Sequence, residues 1–250
     1  MILQFLIALS FLTRFPMPQI DCTAKEIGRS ARWFPVAGAL LGAIYAGVER
    51  LASPFFPPLV RAVLITATDA VLTGAMHFDG LADTADGFGG GRTRDDVLRI
   101  MRDHAIGSYG ACALILVIGL KVIAIGALAG TPAAFPALLL APVLGRWSAV
   151  LSSVLGGYAR QEADGGANSV GSPARFMGHT ELIIASAITV AVAVAVQSWR
   201  GTVALLLLLT TMAVWMRICR RRIGGVTGDT LGAGIEWSEC LVFIVFTMKW

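Results

Sequence analysis

Three aspartates, Asp79, Asp83 and Asp86, stand four and three residues apart within the stretch 77–91. On a helix this spacing places the three carboxylates along one face, where they repel one another unless a cation lies between them. Carboxylate oxygens suit Mg²⁺, which bridges protein carboxylates to substrate phosphates. The spacing therefore predicts a magnesium site. An acidic surface on a helix beside the membrane is the alternative interpretation of so short a pattern.

Glycines and further acidic residues strengthen the magnesium interpretation. The glycines that follow the aspartates, Gly87 and Gly89 among them, would let a phosphate approach the main chain. A second acidic group, Asp229, Glu236 and Glu239, follows a glycine-rich turn near the end of the chain. Several carboxylates beside glycine-rich backbone and arginines are what phosphoryl transfer in a site for a hard cation requires.

The bulk composition is that of a membrane protein. The chain has 250 residues, of which 56% are hydrophobic and 14% charged, and its mean hydropathy is +0.74. This balance lies far outside that of soluble domains. The net charge of +4 does not indicate nucleic-acid binding, because the basic residues are spread over several short loops. The four cysteines show no C-x-x-C pairing, so neither a disulfide framework nor a zinc site is expected.

The hydropathy pattern predicts an all-α fold, a single integral-membrane domain over residues 1–250 with about seven transmembrane helices. The first dozen residues are apolar but too short to cross the bilayer, so they predict an interfacial or re-entrant helix. Residues 77–105 are expected to form a catalytic loop, within which Thr93 opens a short helix over residues 94–104 with a capping box. The predicted spans are 33–51, 59–76, 106–129, 133–155, 182–199, 202–218 and 231–250.

The loops of this seven-span arrangement divide unequally in charge. Fourteen lysines and arginines fall on the face that carries the loop 77–105, against four on the other face. The positive-inside rule makes the first face cytoplasmic. The loop 77–105, the loop 156–180 and the turn 224–229 should therefore meet on that face. Most of the acidic residues become available to one site there.

Charged residues inside the predicted spans allow a different function. Asp69, Lys121 and Arg146 are costly to place in lipid and need partners, for which the carboxylates named above are candidates. With Glu236 and Glu239 they could instead form the relay of an ion-coupled transporter. A non-catalytic membrane subunit is a third class. The transporter predicts discontinuous spans that meet at the midplane, whereas the acidic residues here are expected to gather at one face.

Several motifs resemble those of the cobalamin synthase family, the adenosylcobinamide-GDP ribazoletransferases. The similarity runs almost from end to end, and spans five and six are without a family motif. The motifs are F-L-I-A-L-S-F-L-T-R-F-P-M-P at 5–18, W-F-P-V-A-G at 33–38, H-F-D-G-L-A-D-T-A-D-G-F-G-G-G at 77–91, R-I-M-R-D at 99–103, I-G-S-Y-G at 106–110 with Lys121 after it, G-R-W at 145–147, and G-G-V-T-G-D-T-L-G-A at 224–233 with Glu236 and Glu239.

The resemblance implies the last step of cobalamin nucleotide-loop assembly. Adenosylcobinamide-GDP and α-ribazole, or its 5′-phosphate, would give adenosylcobalamin, or its phosphate, and GMP. The chemistry is similar to that of the CDP-alcohol phosphotransferases, whose D-G-x-x-A-R pattern Asp79-Gly80-Leu81-Ala82-Asp83 matches only in part.

The same resemblance suggests a place, a cofactor and residue roles. The protein would be a multi-pass protein of the bacterial inner membrane, surrounded by lipid, and would use Mg²⁺ to act on small-molecule substrates. No nucleic-acid partner is implied, and the resemblance leaves the oligomeric state open. Asp103 or Asp229 would serve as base or further ligand. The metal ligands would be Asp79, Asp83, Asp86, Glu236 and Glu239. The residues that contact substrate phosphate would be Arg92, Arg102, Arg146, Gly87 and Gly89.

Overall fold

The computed structural model describes residues 1–17, 20–159, 172–196 and 199–249. Helices dominate the described part of the chain, and an isolated bridge between Tyr158 and Val226 is its only β pairing. The α-helices are α1 (Ile2–Leu12), α2 (Ala24–Ser30), α3 (Phe34–Ala52), α4 (Pro58–Thr73), α5 (Met76–Gly90), α6 (Arg94–Ile100), α7 (Ser108–Leu128), α8 (Ala134–Gly156), α9 (His179–Ala195), α10 (Trp199–Ile223) and α11 (Gly228–Thr247).

The prediction of a polytopic helical membrane protein is confirmed. Five helical segments in the described ranges are long and apolar enough to cross a membrane, and a sixth span results if α4 and α5 are counted as one bent span. This count is lower than the predicted seven. Each predicted span still corresponds to a helix, and α3 and α8 differ from prediction by one residue at either end. The helix α9 has 17 residues, slightly fewer than a straight crossing requires.

A sharp bend separates α4 from α5, which meet at 90°. Gly74 and Ala75 both take left-handed backbone conformations there, with φ of 63° and 56°. Glycine adopts this conformation without penalty, whereas the alanine adopts it at a cost that the surrounding packing must offset. The bend turns α5 away from the axis of α4 and brings the aspartate stretch across the neighbouring helices.

Most of the predicted catalytic segment 77–105 is helical, as α5 and α6, which agrees with the helical spacing of its aspartates. The glycines of α5 lower its intrinsic helix propensity. The segment is helical nevertheless, because the helix buries Phe78, Leu81 and Ala82 where α5 packs against α7 and α11. The predicted capping box at Thr93 is confirmed, since its hydroxyl accepts a hydrogen bond from the Asp96 amide at 3.1 Å. The helix that it opens ends at Ile100.

The helix α8 forms the centre of the bundle. Most of its side chains are buried, and α3 and α11 pack along opposite parts of it. The approach of α3 is close at Gly42, where an added Cβ would lie 2.7 Å from the carbonyl oxygen of Leu138. Small residues at such crossings bring helix backbones together and increase their van der Waals contact.

The C-terminal ends of α5, α8 and α10 meet at one end of the bundle. The Arg222 guanidinium donates to the carbonyl oxygen of Gly91 at 2.9 Å. Arg94 donates to the carbonyl oxygens of Ala159, at 2.8 Å, and Ile223, at 3.1 Å. The predicted convergence of three connecting segments is therefore confirmed for the described residues. Residues 160–171 of the loop 156–180 lie outside them.

Candidate active site

A cavity of about 220 Å³ opens among α1, α3, α5, α8 and α11, at the end of the bundle where these connections meet. We call it the α5–α11 cavity. Its polar side chains are His77, Asp79 and Asp229. Most of the remaining wall is apolar, with Phe34 and Ile235 among its side chains. An apolar cavity with a few convergent polar groups is typical of a small-molecule binding site.

Close packing of α5 on α11 brings Asp79 and Asp229 to this cavity. At Gly80 an added Cβ would lie 2.8 Å from the carbonyl oxygen of Asp229, so only glycine allows this approach without a shift. The helix α11 begins at Gly228, and the Thr227 hydroxyl caps it by accepting from the Thr230 amide at 3.3 Å. Asp229 therefore lies in the first turn of α11, where the helix dipole favours negative charge.

The three aspartates of α5 differ in their surroundings. Asp79 is exposed, Asp83 is partly buried and Asp86 is buried. The Asp86 carboxylate accepts hydrogen bonds from the Gly107 amide at 2.7 Å and the Gly110 amide at 2.9 Å. These amides belong to the N-cap residue of α7 and to its third residue, so Asp86 caps the next span. Its position fixes α5 to α7, a structural role that the spacing of the aspartates did not predict.

Glu236 and Glu239, predicted with the metal ligands, lie in a different cluster. The Lys121 ammonium is 2.9 Å from Glu236, 2.6 Å from Glu239 and 2.7 Å from Asp69. Ligand oxygens of the three acids lie within 4.8 Å of one another, a separation that would suit a metal ion. The lysine ammonium already fills the position of such an ion. The geometry therefore separates these glutamates from the α5 aspartates.

Arg146, predicted as a phosphate ligand, belongs to the same cluster. It is fully buried and forms an ion pair with Glu239, while a second nitrogen lies 3.5 Å from Nδ1 of His77. A guanidinium enclosed in the bundle is poorly placed to meet a phosphate at the surface, so the geometry does not favour this assignment. The prediction that Lys121 and Arg146 pair with carboxylates is confirmed. We call Asp69, Lys121, Arg146, Glu236 and Glu239 the buried ion cluster.

The two glycines predicted to admit phosphate are packing positions. An added Cβ at Gly87 would lie 2.5 Å from Cγ of Met101, and one at Gly89 would lie 2.5 Å from the ring of Tyr109. Neighbouring side chains thus occupy the space above both α-carbons. Gly89 is nevertheless exposed, and the assignment of both glycines to substrate phosphate stays a prediction.

Arg92, Arg102 and Asp103 are exposed at the same end of the bundle. Asp103 accepts a hydrogen bond from the Ala105 amide at 3.1 Å, which forms a local turn. It does not line the α5–α11 cavity, whereas Asp229 does. Between the two predicted bases, the geometry favours Asp229.

His77 and Tyr45 gain roles that the sequence did not indicate. His77 is buried, lines the cavity and contacts Arg146. The Tyr45 hydroxyl donates to Asp69 at 2.6 Å. A lone histidine or tyrosine in an apolar segment gives no signal by itself. Only the cost of burying Asp69 indicated that a donor had to face it.

Comparison with known proteins gives a consistent result. The family model described as cobalamin-5-phosphate synthase matches residues 4–247. A protein of Syntrophobacter fumaroxidans is 42% identical over 94% of both chains, and one of Roseiflexus sp. is 40% identical over 97% of this chain and 88% of its own. Both are named adenosylcobinamide-GDP ribazoletransferase. No solved structure matches the chain. The chain belongs to the cobalamin-5-phosphate synthase family.

Proposed function

We propose that this protein joins adenosylcobinamide-GDP to α-ribazole, or to its 5′-phosphate, and releases GMP. The relatives that match nearly the whole chain carry the name of this transferase. The observation that carries the proposal is the pair of carboxylates, Asp79 and Asp229, which α5 and α11 bring to one cavity. The family resemblance supplies the substrates, and the cavity supplies a place where a hydroxyl and a carboxylate can meet.

Asp79 and Asp83 would hold Mg²⁺, with Asp229 as a third oxygen ligand or as the base. The chemistry of the donors fits this ion, because all three are carboxylates, one exposed and the others partly buried. Among the described residues, only Asp69, Glu236 and Glu239 place three acidic ligand atoms within 4.8 Å of one another, so the proposed ligands would have to approach one another when the ion binds. When bound, the ion would neutralise charge on the phosphate oxygens and on the leaving GMP. Glu236 and Glu239 are not in this ligand set, since Lys121 contacts both.

The chain's own residues would orient the acceptor and move its proton. Asp229 would take the proton from the ribose hydroxyl as the oxygen attacks the phosphorus attached to cobinamide. The new bond joins that oxygen to this phosphorus, and the phosphoanhydride bond to GMP breaks. Arg92 and Arg102, both exposed at this end of the bundle, would pair with phosphate oxygens of the GDP group.

The site would face the cytoplasm from the inner membrane of the bacterial cell. The bundle end that carries the cavity also carries the exposed arginines near the end of α10, Arg217, Arg220 and Arg221. The positive-inside rule associates such an excess with the cytoplasmic side. Both substrates would then reach the site without crossing the membrane.

An ion-coupled transporter requires a path along which its charged groups exchange ions with water. Asp69, Lys121 and Glu236 do meet inside the bundle, as that alternative predicts, but their side chains are no more than 2% exposed. Each carboxylate of the buried ion cluster faces a cation of the chain itself. This closed arrangement favours a structural role over transport.

Release of GMP from adenosylcobinamide-GDP tests the proposed function. Purified protein in lipid should release GMP when α-ribazole and Mg²⁺ are both present. Omitting α-ribazole, or adding a chelator, should reduce the release to background. If α-ribazole made no difference, the enzyme would be a hydrolase and the proposal would be wrong.

A further inference from the structure

The apolar wall of the α5–α11 cavity indicates which substrate enters it. We infer that this cavity is the acceptor subsite and that it encloses the aromatic base of the α-ribazole nucleoside. The inference rests on the proposed function, which names the two substrates but does not say where either one binds.

The apolar wall of the cavity is suited to a flat apolar ring. Phe11 and Phe34 stack at 6.0 Å with 15° between their planes, and both line the cavity. Leu12, Met177 and Ile235 complete this wall without a polar side chain. An aromatic ring that enters here exchanges water for close contact with carbon atoms.

The chemistry of the two substrates then discriminates between them. Guanine carries donors and acceptors around most of its rim, and each would lose a hydrogen bond against an apolar wall. The corrin ring is too large for a cavity of about 220 Å³. The benzimidazole of α-ribazole has an apolar rim with a single unsubstituted ring nitrogen. It is the one part of either substrate that such a wall accommodates without an unsatisfied polar group.

His77 supplies the donor that this single nitrogen needs. Its Nδ1 lies 3.5 Å from a nitrogen of Arg146, and because a guanidinium can only donate, a hydrogen bond between the two requires the proton on Nε2. Nε2 is buried and has no hydrogen-bond partner among the residues that the structure describes. A buried donor without an acceptor is costly, and the ring nitrogen of a bound base would satisfy it.

The polar side of the cavity is then available to the sugar. With the base held between Phe34 and Ile235, the ribose extends toward Asp79 and Asp229. This places the attacking hydroxyl beside the carboxylate proposed to take its proton. The cavity thereby orients the acceptor before the larger donor substrate arrives.

Separate measurement of KM for each substrate tests the assignment. In Ile235→Ala we expect KM for α-ribazole to rise about tenfold, the effect of removing part of an apolar pocket. KM for adenosylcobinamide-GDP should stay within about twofold. The matched control is Ile125→Ala, a buried isoleucine of α7 that does not line the cavity. It should change neither constant. If Ile235→Ala does not fold, Leu231→Val takes its place in the same comparison.

Equilibrium dialysis with α-ribazole alone tests the donor role of His77. The variant His77→Leu should bind the nucleoside about tenfold more weakly than wild type, and His77→Gln, which keeps a donor, should bind more tightly than His77→Leu. Equal increases of both KM values in Ile235→Ala, or unchanged nucleoside binding in His77→Leu, would overturn the inference. The proposed function would still stand if the wild-type protein turned over both substrates. Absence of wild-type turnover would overturn the proposed function itself.

Discussion

Carboxylates gather in two places in this molecule, and their surroundings differ in kind. In the buried ion cluster, Lys121 lies within 2.9 Å of three carboxylates, and Arg146 pairs with one of them. On α5, Asp79 is exposed at the cavity, and its carboxylate makes no hydrogen bond or ion pair within the described residues. The comparison teaches that an acidic residue is available to an external cation only where the chain has not already provided one.

The largest effect should follow from removing the cation of the buried ion cluster. Lys121→Met leaves three buried carboxylates with one neighbouring guanidinium, and loss of one partner from a buried pair costs ~3–5 kcal/mol. We expect a large fall in the thermal unfolding temperature of the protein in detergent. Adding Glu236→Gln to the variant should recover part of the loss. An unchanged unfolding temperature in Lys121→Met would show that the cluster does not stabilise the bundle.

The second effect concerns the aspartates of α5 that we propose as magnesium ligands. Asp83→Asn should lower kcat/KM at least about 100-fold, or ~2.7 kcal/mol of transition-state stabilisation, because an amide is a poor ligand for a hard cation. The unfolding temperature should change little, unlike that of Lys121→Met. Asp95→Asn is the matched control, since the Asp95 side chain is 90% exposed on α6. Near-normal turnover of Asp83→Asn in magnesium would remove Asp83 from the proposed site.

A third variant tests how rigidly α5 is held against α11. Gly80→Ala places a Cβ 2.8 Å from one backbone atom of Asp229 and 3.0 Å from another, so one helix must move. Displacement of a reacting group by a fraction of an ångström should lower kcat about tenfold. Gly47→Ala is the control, because an added Cβ there has no neighbour within 4 Å. It should leave kcat unchanged and stabilise α3 slightly. Equal kcat values in the two variants would contradict a rigid site.

The smallest effect should follow from removing the cap of α6. Thr93→Ala deletes the hydroxyl that accepts from the Asp96 amide, and amide hydrogen exchange in α6 should become roughly fivefold faster. Exchange in α7 and α8 should not change, because the buried ion cluster does not depend on this cap. Faster exchange throughout the bundle would show that the two regions are coupled more tightly than their contacts indicate.

The same cap should respond to acid. Hydrogen bonds from Thr93 hold the pKa of Asp96 below its usual value. A carboxyl whose pKa is lower in the folded state adds stability above its unfolded pKa and loses it as pH falls through the folded pKa. Exchange in α6 should therefore accelerate as the solution becomes strongly acidic, and Asp96→Asn should remove this dependence on pH.

The sequence predicted the helices well because hydrophobicity and length decide them. The span predicted at 133–155 is the helix Ala134–Gly156, for example. The course of α5 could not be predicted, since it depends on a left-handed alanine at position 75 and on packing that overrides the glycines. The partners of each acidic residue could not be predicted from the sequence either. Asp86 and Glu236 look alike in a motif, but helix rotation directs one to the amides of α7 and the other to Lys121.

The buried ion cluster also has a consequence for the synthesis of the chain. Asp69 is translated 52 residues before Lys121, and Glu236 follows a further 115 residues later. Until α11 emerges from the ribosome, the cluster contains two cations and one carboxylate. A charge without its partner is unfavourable in lipid. We therefore expect the earlier helices to reach their final arrangement only after α11 is present, because α11 supplies two of the three carboxylates of the cluster.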